Sequence, residues 1–123
     1  FYRNRDLGMT AEEEMQKAEE LVDYYKICFA HPAVEGILMW GFWEGANWIP
    51  QSSLYKCDWS PTPAAKAYQN LIFHEWWTNK TGEIKQNGEF SIPAFFGKYE
   101  VTVNGKTKEV YLMKTEGKVV VEF

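Results

Sequence analysis

Val34-Glu35-Gly36-Ile37-Leu38-Met39-Trp40-Gly41-Phe42-Trp43 is the stretch on which the fold turns. Its apolar positions do not alternate, so it reads as a strand over 35–43 buried on both faces, as in parallel sheets covered by helices. Upstream, Thr10 followed by Glu13 forms a capping box, in which each side chain satisfies an orphan backbone N–H of the other. Met15, Ala18, Leu21, Val22, Tyr25, Cys28 and Phe29 then recur at helical spacing, until Pro32 limits the helix to about residue 30. Downstream, a polar loop containing Gly45, Asn47, Pro50 and Ser52 leads to Thr62 and Pro63, a cap and first residue for a second helix over 61–77. Ala67, Tyr68, Leu71, Ile72 and Trp76 are its apolar stripe. This half therefore reads helix, strand, helix.

The grammar changes near residue 78. Residues 1–78 carry six basic and eleven acidic side chains, whereas residues 79–123 carry seven and six. All six Trp fall between Trp40 and Trp77, which suggests either a ring-stacking surface or a large aromatic core. Asn87-Gly88 and Asn104-Gly105 are strong hairpin signals, because a type I′ turn needs positive φ at both central residues. Glu116-Gly117 is a weaker third. Between them lie four expected strands, 89–92, 98–103, 107–113 and 118–123, making a small antiparallel sheet.

With 46% hydrophobic and 24% charged residues, the composition is that of a globular chain of one domain, or one and a half. No apolar run approaches the roughly 20 residues of a membrane helix, so no membrane partner is expected. The opening Phe1-Tyr2-Arg3-Asn4-Arg5-Asp6 has no apolar signal segment. A net charge of -4 argues against a nucleic-acid partner. Two separated His and two Cys have no metal-ligand spacing, and no phosphate-binding Gly loop is present, so no cofactor is expected.

The run His31–Trp48, with its Trp40-Gly41-Phe42-Trp43…Trp48 pattern, resembles the end of a glycoside hydrolase family 10 catalytic domain. That family contains the endo-1,4-β-xylanases. The resemblance extends from about Ala11 to Phe123, and the second half looks like a small β appendix that follows the barrel in some members. It implies an α/β fold: the terminal helix-strand-helix portion of a (β/α)₈ barrel over 1–78, followed by an antiparallel β appendix over 79–123. A closed barrel of about 250 residues does not fit in 123.

Retaining glycosidases need two carboxyl groups about 5–5.5 Å apart. By resemblance, the two catalytic Glu of the family lie on strands upstream of Phe1, so no catalytic residue is assigned here. Glu35 falls at the entrance of the expected strand, the stability face of such barrels. Glu44 falls at the exit, the active face, but matches no catalytic position of the family and reads as a solvated loop carboxylate. Trp40 and Trp48 match two family tryptophans that wall the sugar site beside the scissile bond, and are the expected substrate-binding residues. After Trp48 the family often has a basic residue. Here Ile49 removes that donor. Trp43 and Trp59 read either as rim contacts or as packing beneath the loop.

His31, at the helix-to-strand turn, reads as structural, and His74 as exposed or packed. In the barrel reading Cys28 and Cys57 lie at opposite ends of a strand, roughly 30 Å apart, so they are not expected to pair. Asn79-Lys80-Thr81 is a glycosylation sequon and gives slight support to an extracellular, secreted protein. The expected partners are a β-1,4-linked polysaccharide or oligosaccharide, and the remainder of the barrel or another protein chain covering residues 35–43. The resemblance implies part of a retaining endo-β-1,4-glycanase acting on plant-type polysaccharide. The alternative is a non-catalytic carbohydrate-binding or structural and assembly protein derived from the same family.

Overall fold

A computed structural model describes residues 8–123; the reading of Phe1–Asp6 lies outside them. The chain divides into two compact units, one up to Trp77 and one from Thr78.

The first unit is built on two helices. Helix α1 spans Ala11–Ala30 and begins with the expected capping box: Thr10 Oγ1 accepts from Glu13 N–H at 3.2 Å, and Glu13 Oε2 accepts from Thr10 N–H at 2.8 Å. Glu12, Glu13 and Glu14 in the first turn complement the positive end of the helix dipole. His31 ends the helix, and its Nδ1 accepts from Ala33 N–H, so it is a structural residue of the turn. Helix α2 spans Pro63–Asn70, with Thr62 as N-cap and Pro63 in the first turn. The helical chain continues as a π-helical turn over Leu71–Glu75, where His74 is exposed. The helix expected over 61–77 forms over 63–75, short of Trp76 and Trp77, and changes hydrogen-bond pitch at Leu71.

Alanines set the contact between the helices. Ala18 of α1 meets Ala64 and Ala65 of α2, both fully buried, together with Leu54 from the intervening loop. Small side chains leave little to bury but let elements approach closely, and Leu21, Tyr55, Ala67 and Tyr68 pack around them. Tyr25 meets Tyr68 edge to face at 5.4 Å, and Phe29 stacks on Trp76 at 4.2 Å. Lys17 fastens α1 to the loop by donating to the carbonyls of Gln51 and Ser53.

The expected strand over 35–43 does not form. Residues 35–42 belong to no strand, and only Trp43 bridges to Tyr55. Nor is the run buried: Leu38 is 94% and Trp40 91% exposed. Strand hydrogen bonds come from neighbours, and the described residues place no ladder partner beside this run.

The second unit holds one hairpin. Strands β1 (Gly97–Val103) and β2 (Lys106–Leu112) pair antiparallel, with Val103 opposite Lys106 across Asn104-Gly105. Both turn residues have positive φ, 48° and 78°, as the type I′ reading requires. Thr102 faces Thr107, with their hydroxyls 2.8 Å apart, and Lys98 pairs with Glu109. Residues 89–92 and 118–123 are not strands. The chain does reverse beside both, but not as read from the sequence. Gly88 N–H donates to Lys85 O, which centres the first turn on Gln86-Asn87, and Asn87 lacks the positive φ of a type I′ turn. Glu116 and Gly117 N–H both donate to Met113 O. The hydrogen bonding stops one pair beyond the first turn, where Lys85 N–H donates to Glu89 O. A turn signal marks where the chain reverses and leaves open whether the flanks pair.

Candidate functional site

Residues 41–62 form a loop closed on itself by hydrogen bonds. Leu54 and Tyr55 N–H both donate to Phe42 O, and Glu44 N–H returns to Tyr55 O, each at 2.9 Å. Thr62 closes the far end: its N–H and its hydroxyl both donate to Leu54 O, while Oγ1 accepts from Ala65 N–H and caps α2. Loop closure and helix capping therefore share one side chain.

Asn47 holds the centre. It is buried, and its Nδ2 donates to Gly41 O at 2.9 Å and to the hydroxyls of Ser53 and Ser52 at 2.8 and 3.1 Å. Its Oδ1 accepts from Ile49 N–H. Gly41 is required on the other side of this clasp. Its φ is +73°, and a Cβ there would lie 3.0 Å from the Asn47 amide.

Trp40 and Trp48 are the residues immediately outside the clasped pair, and both indoles are exposed, at 91% and 61%. The clasp ties together the backbone stretches that carry them, although they are eight positions apart in sequence.

Trp43 and Trp59 behave differently. Their rings stack in parallel, 5.2 Å apart and 8° from coplanar, with Phe42 and Tyr55 tilted around Trp59. Trp43 Nε1 donates to Cys57 O, and a Cβ at Gly45 would lie 2.3 Å from the Trp43 ring. Trp59 adopts φ +65°, a conformation costing a bulky residue about 1–3 kcal/mol.

Glu44 is not a freely solvated carboxylate. It is half-buried, and its Oε2 accepts from Cys57 N–H at 2.9 Å, bracing the turn opposite its own backbone bond to Tyr55. Local desolvation pushes the Cys57 thiol up, and the adjacent Glu44 carboxylate pushes it further. Ser60, donating from hydroxyl and backbone, holds the Asp58 carboxyl below the usual range. Glu35 is exposed on the open run. Cys28 and Cys57 are free thiols. Among the described residues, no three His, Cys, Asp or Glu side chains gather as a metal site, and no helix is long and apolar enough to cross a membrane.

The family motif singles out Trp40 and Trp48 in the sequence, but nothing there marks the clasp between them. Asn47 sits among turn-forming residues, and nothing in its spacing distinguishes a buried three-acceptor amide from an ordinary loop Asn.

Comparison with known proteins finds the chain similar to short parts of proteins named as endo-1,4-beta-xylanases. The chain is 32% identical over 112 residues to endo-1,4-beta-xylanase 1 of Arabidopsis thaliana, covering 91% of this chain and 12% of that protein. It is 33% identical over 98 residues to endo-1,4-beta-xylanase 2 of the same plant, covering 80% of this chain and 9% of that protein. It is also 36% identical over 104 residues to the anti-sigma-I factor RsgI6 of Acetivibrio thermocellus, covering 82% of this chain and 14% of that protein. No family model matches. The chain thus spans between 9% and 14% of the length of these curated relatives.

Proposed function

We propose that the chain is the C-terminal, sugar-walling part of a retaining endo-β-1,4-glycanase acting on xylan or a related plant-type polysaccharide, and that the catalytic carboxylates are not its own. The observation that carries this reading is the pair of exposed indoles, Trp40 and Trp48, set on either side of the Asn47–Gly41 hydrogen bond. A flat indole covers the apolar C–H face of a pyranose and excludes water from it. Tying together the backbone on which both rings are carried, through the Asn47–Gly41 bond, lowers the ordering cost of binding. Retaining hydrolysis needs one carboxyl as acid/base and another as nucleophile. Glu44 is committed to Cys57 N–H, and Glu35 lies on the open run, so this chain contributes binding rather than bond cleavage.

In this reading residues 1–78 are the last helix-strand-helix portion of a (β/α)₈ barrel, and 79–123 its β appendix. The rest of the barrel, or another chain, covers residues 35–43 and supplies the hydrogen bonds that turn the run into a strand. The exposure of Leu38, Met39 and Phe42 supports this. The setting is extracellular, with the exposed Asn79 sequon as support.

One observation favours a second reading. The segment recurs in a protein named as an anti-sigma-I factor, so kinship with xylanases is not confined to proteins named as enzymes. A non-catalytic carbohydrate-binding or assembly protein would keep the same tryptophans. Titration with a xylo-oligosaccharide followed by tryptophan emission tests the sugar platform common to both. Quenching that Trp48→Ala abolishes with little loss of fold is expected; emission unchanged at millimolar sugar would refute the platform.

A further inference from the structure

Among the described residues, Trp59 and Asn104 are the non-glycine positions with positive φ. Asn104 is explained by its hairpin turn, and Asn tolerates that region. Trp59 also lies in a reversing turn, between the antiparallel bridge partners Tyr55 and Pro61, but it is a bulky residue there. Its turn is closed by Trp59 N–H donating to Lys56 O at 2.9 Å and Lys56 N–H donating to Ser60 O at 3.0 Å, bonds that Gly or Asn would make with less strain. Burial of the indole does not account for the choice either, since Trp59 remains 56% exposed. What the strained backbone achieves is orientation: the ring lies flat on Trp43, which is itself packed against Gly45.

We propose that Trp59, backed by Trp43, is a further sugar-stacking platform that takes a pyranose ring of a β-1,4-linked glycan, separate from Trp40 and Trp48. The inference rests on the sugar-binding reading above. An indole 56% exposed and stacked on Trp43, with Phe42 and Tyr55 tilted around it, suits the C–H face of a pyranose. Lys56 and Asp58, both exposed, belong to the same turn and offer a donor and an acceptor for sugar hydroxyls. Asp58 is held ionised by Ser60, which keeps it an acceptor. The relatives named as endo-1,4-beta-xylanases match over most of this chain, which makes a β-1,4-linked xylo-oligosaccharide the appropriate probe.

The test is calorimetric titration of the 123-residue chain with xylohexaose, alongside Trp59→Gly, Trp59→Asn and a Trp40→Ala/Trp48→Ala double variant, with thermal melts of each. Both Trp59 variants are expected to bind about tenfold more weakly, the loss usual for a truncated aromatic anchor, without any fall in melting midpoint. Unchanged affinity in the Trp59 variants, or loss of the fold in both, would make the ring a packing element and overturn the proposal. If the double variant loses affinity while the Trp59 variants keep it, the first platform stands and the second is refuted. An absence of binding by the unsubstituted chain removes the sugar reading itself, and the Trp59 platform with it.

Discussion

The clasped loop over 41–62 and the open run over 32–40 are consecutive in sequence and opposite in behaviour. The loop satisfies its backbone from within: Phe42, Tyr55, Leu54 and Thr62 exchange hydrogen bonds, and Asn47 engages a carbonyl and two hydroxyls. In the run, Val34 N–H turns back to His31 O, and residues 35–40 join no ladder. Polar side chains make the difference. Asn47, Ser52, Ser53 and Thr62 act as local partners, whereas Ile37, Leu38 and Met39 have none to offer and depend on neighbouring strands. A loop so built keeps its geometry whatever lies beside it; a buried-strand sequence does not.

The strongest way to break this contrast is to remove the clasp. Asn47→Ala leaves Gly41 O and two serine hydroxyls without their donor, and should lower unfolding stability by about 2–3 kcal/mol, measured by urea denaturation. A change within 0.5 kcal/mol would mean that the loop is held by its backbone bonds alone. Trp40→Ala should do far less, within about 0.5 kcal/mol, because an indole 91% exposed has little packing to lose. A loss beyond 1 kcal/mol would show that the run is covered in solution. The smallest effect concerns Cys57. Its thiol is raised by local desolvation and then by Glu44, so Glu44→Gln should lower it and speed iodoacetamide alkylation at neutral pH. An unchanged rate would remove Glu44 from the thiol's surroundings.

Legibility in the sequence followed the range of the interactions. The Thr10–Glu13 box, the Thr62-Pro63 start of α2 and the Asn104-Gly105 turn were readable because their partners lie within four residues. The run at 35–43 was misread as a formed strand because its apolar pattern reports what the segment needs, not whether a partner is present. The strands at 89–92 and 118–123 failed for the same reason, although the chain does reverse beside them. The π-helical turn at Leu71–Glu75 left no mark in the spacing of Leu71, Ile72 and Trp76. At the candidate site, Trp40 and Trp48 stand out in the sequence only through their resemblance to a family motif. The Asn47 clasp does not stand out, because it depends on how a loop folds back rather than on residue type.

The proposal at stake is that this chain offers a glycan the exposed rings of Trp40, Trp48 and Trp59, while the catalytic carboxylates are not its own. Incubating the pure 123-residue chain with xylohexaose and analysing products by chromatography tests it most directly, with binding followed in the same sample. The account predicts bound and intact xylohexaose, since Glu44 is tied to Cys57 N–H and one carboxylate cannot serve as both acid and nucleophile. Hydrolysis to shorter xylo-oligosaccharides that Glu44→Gln abolishes would contradict it.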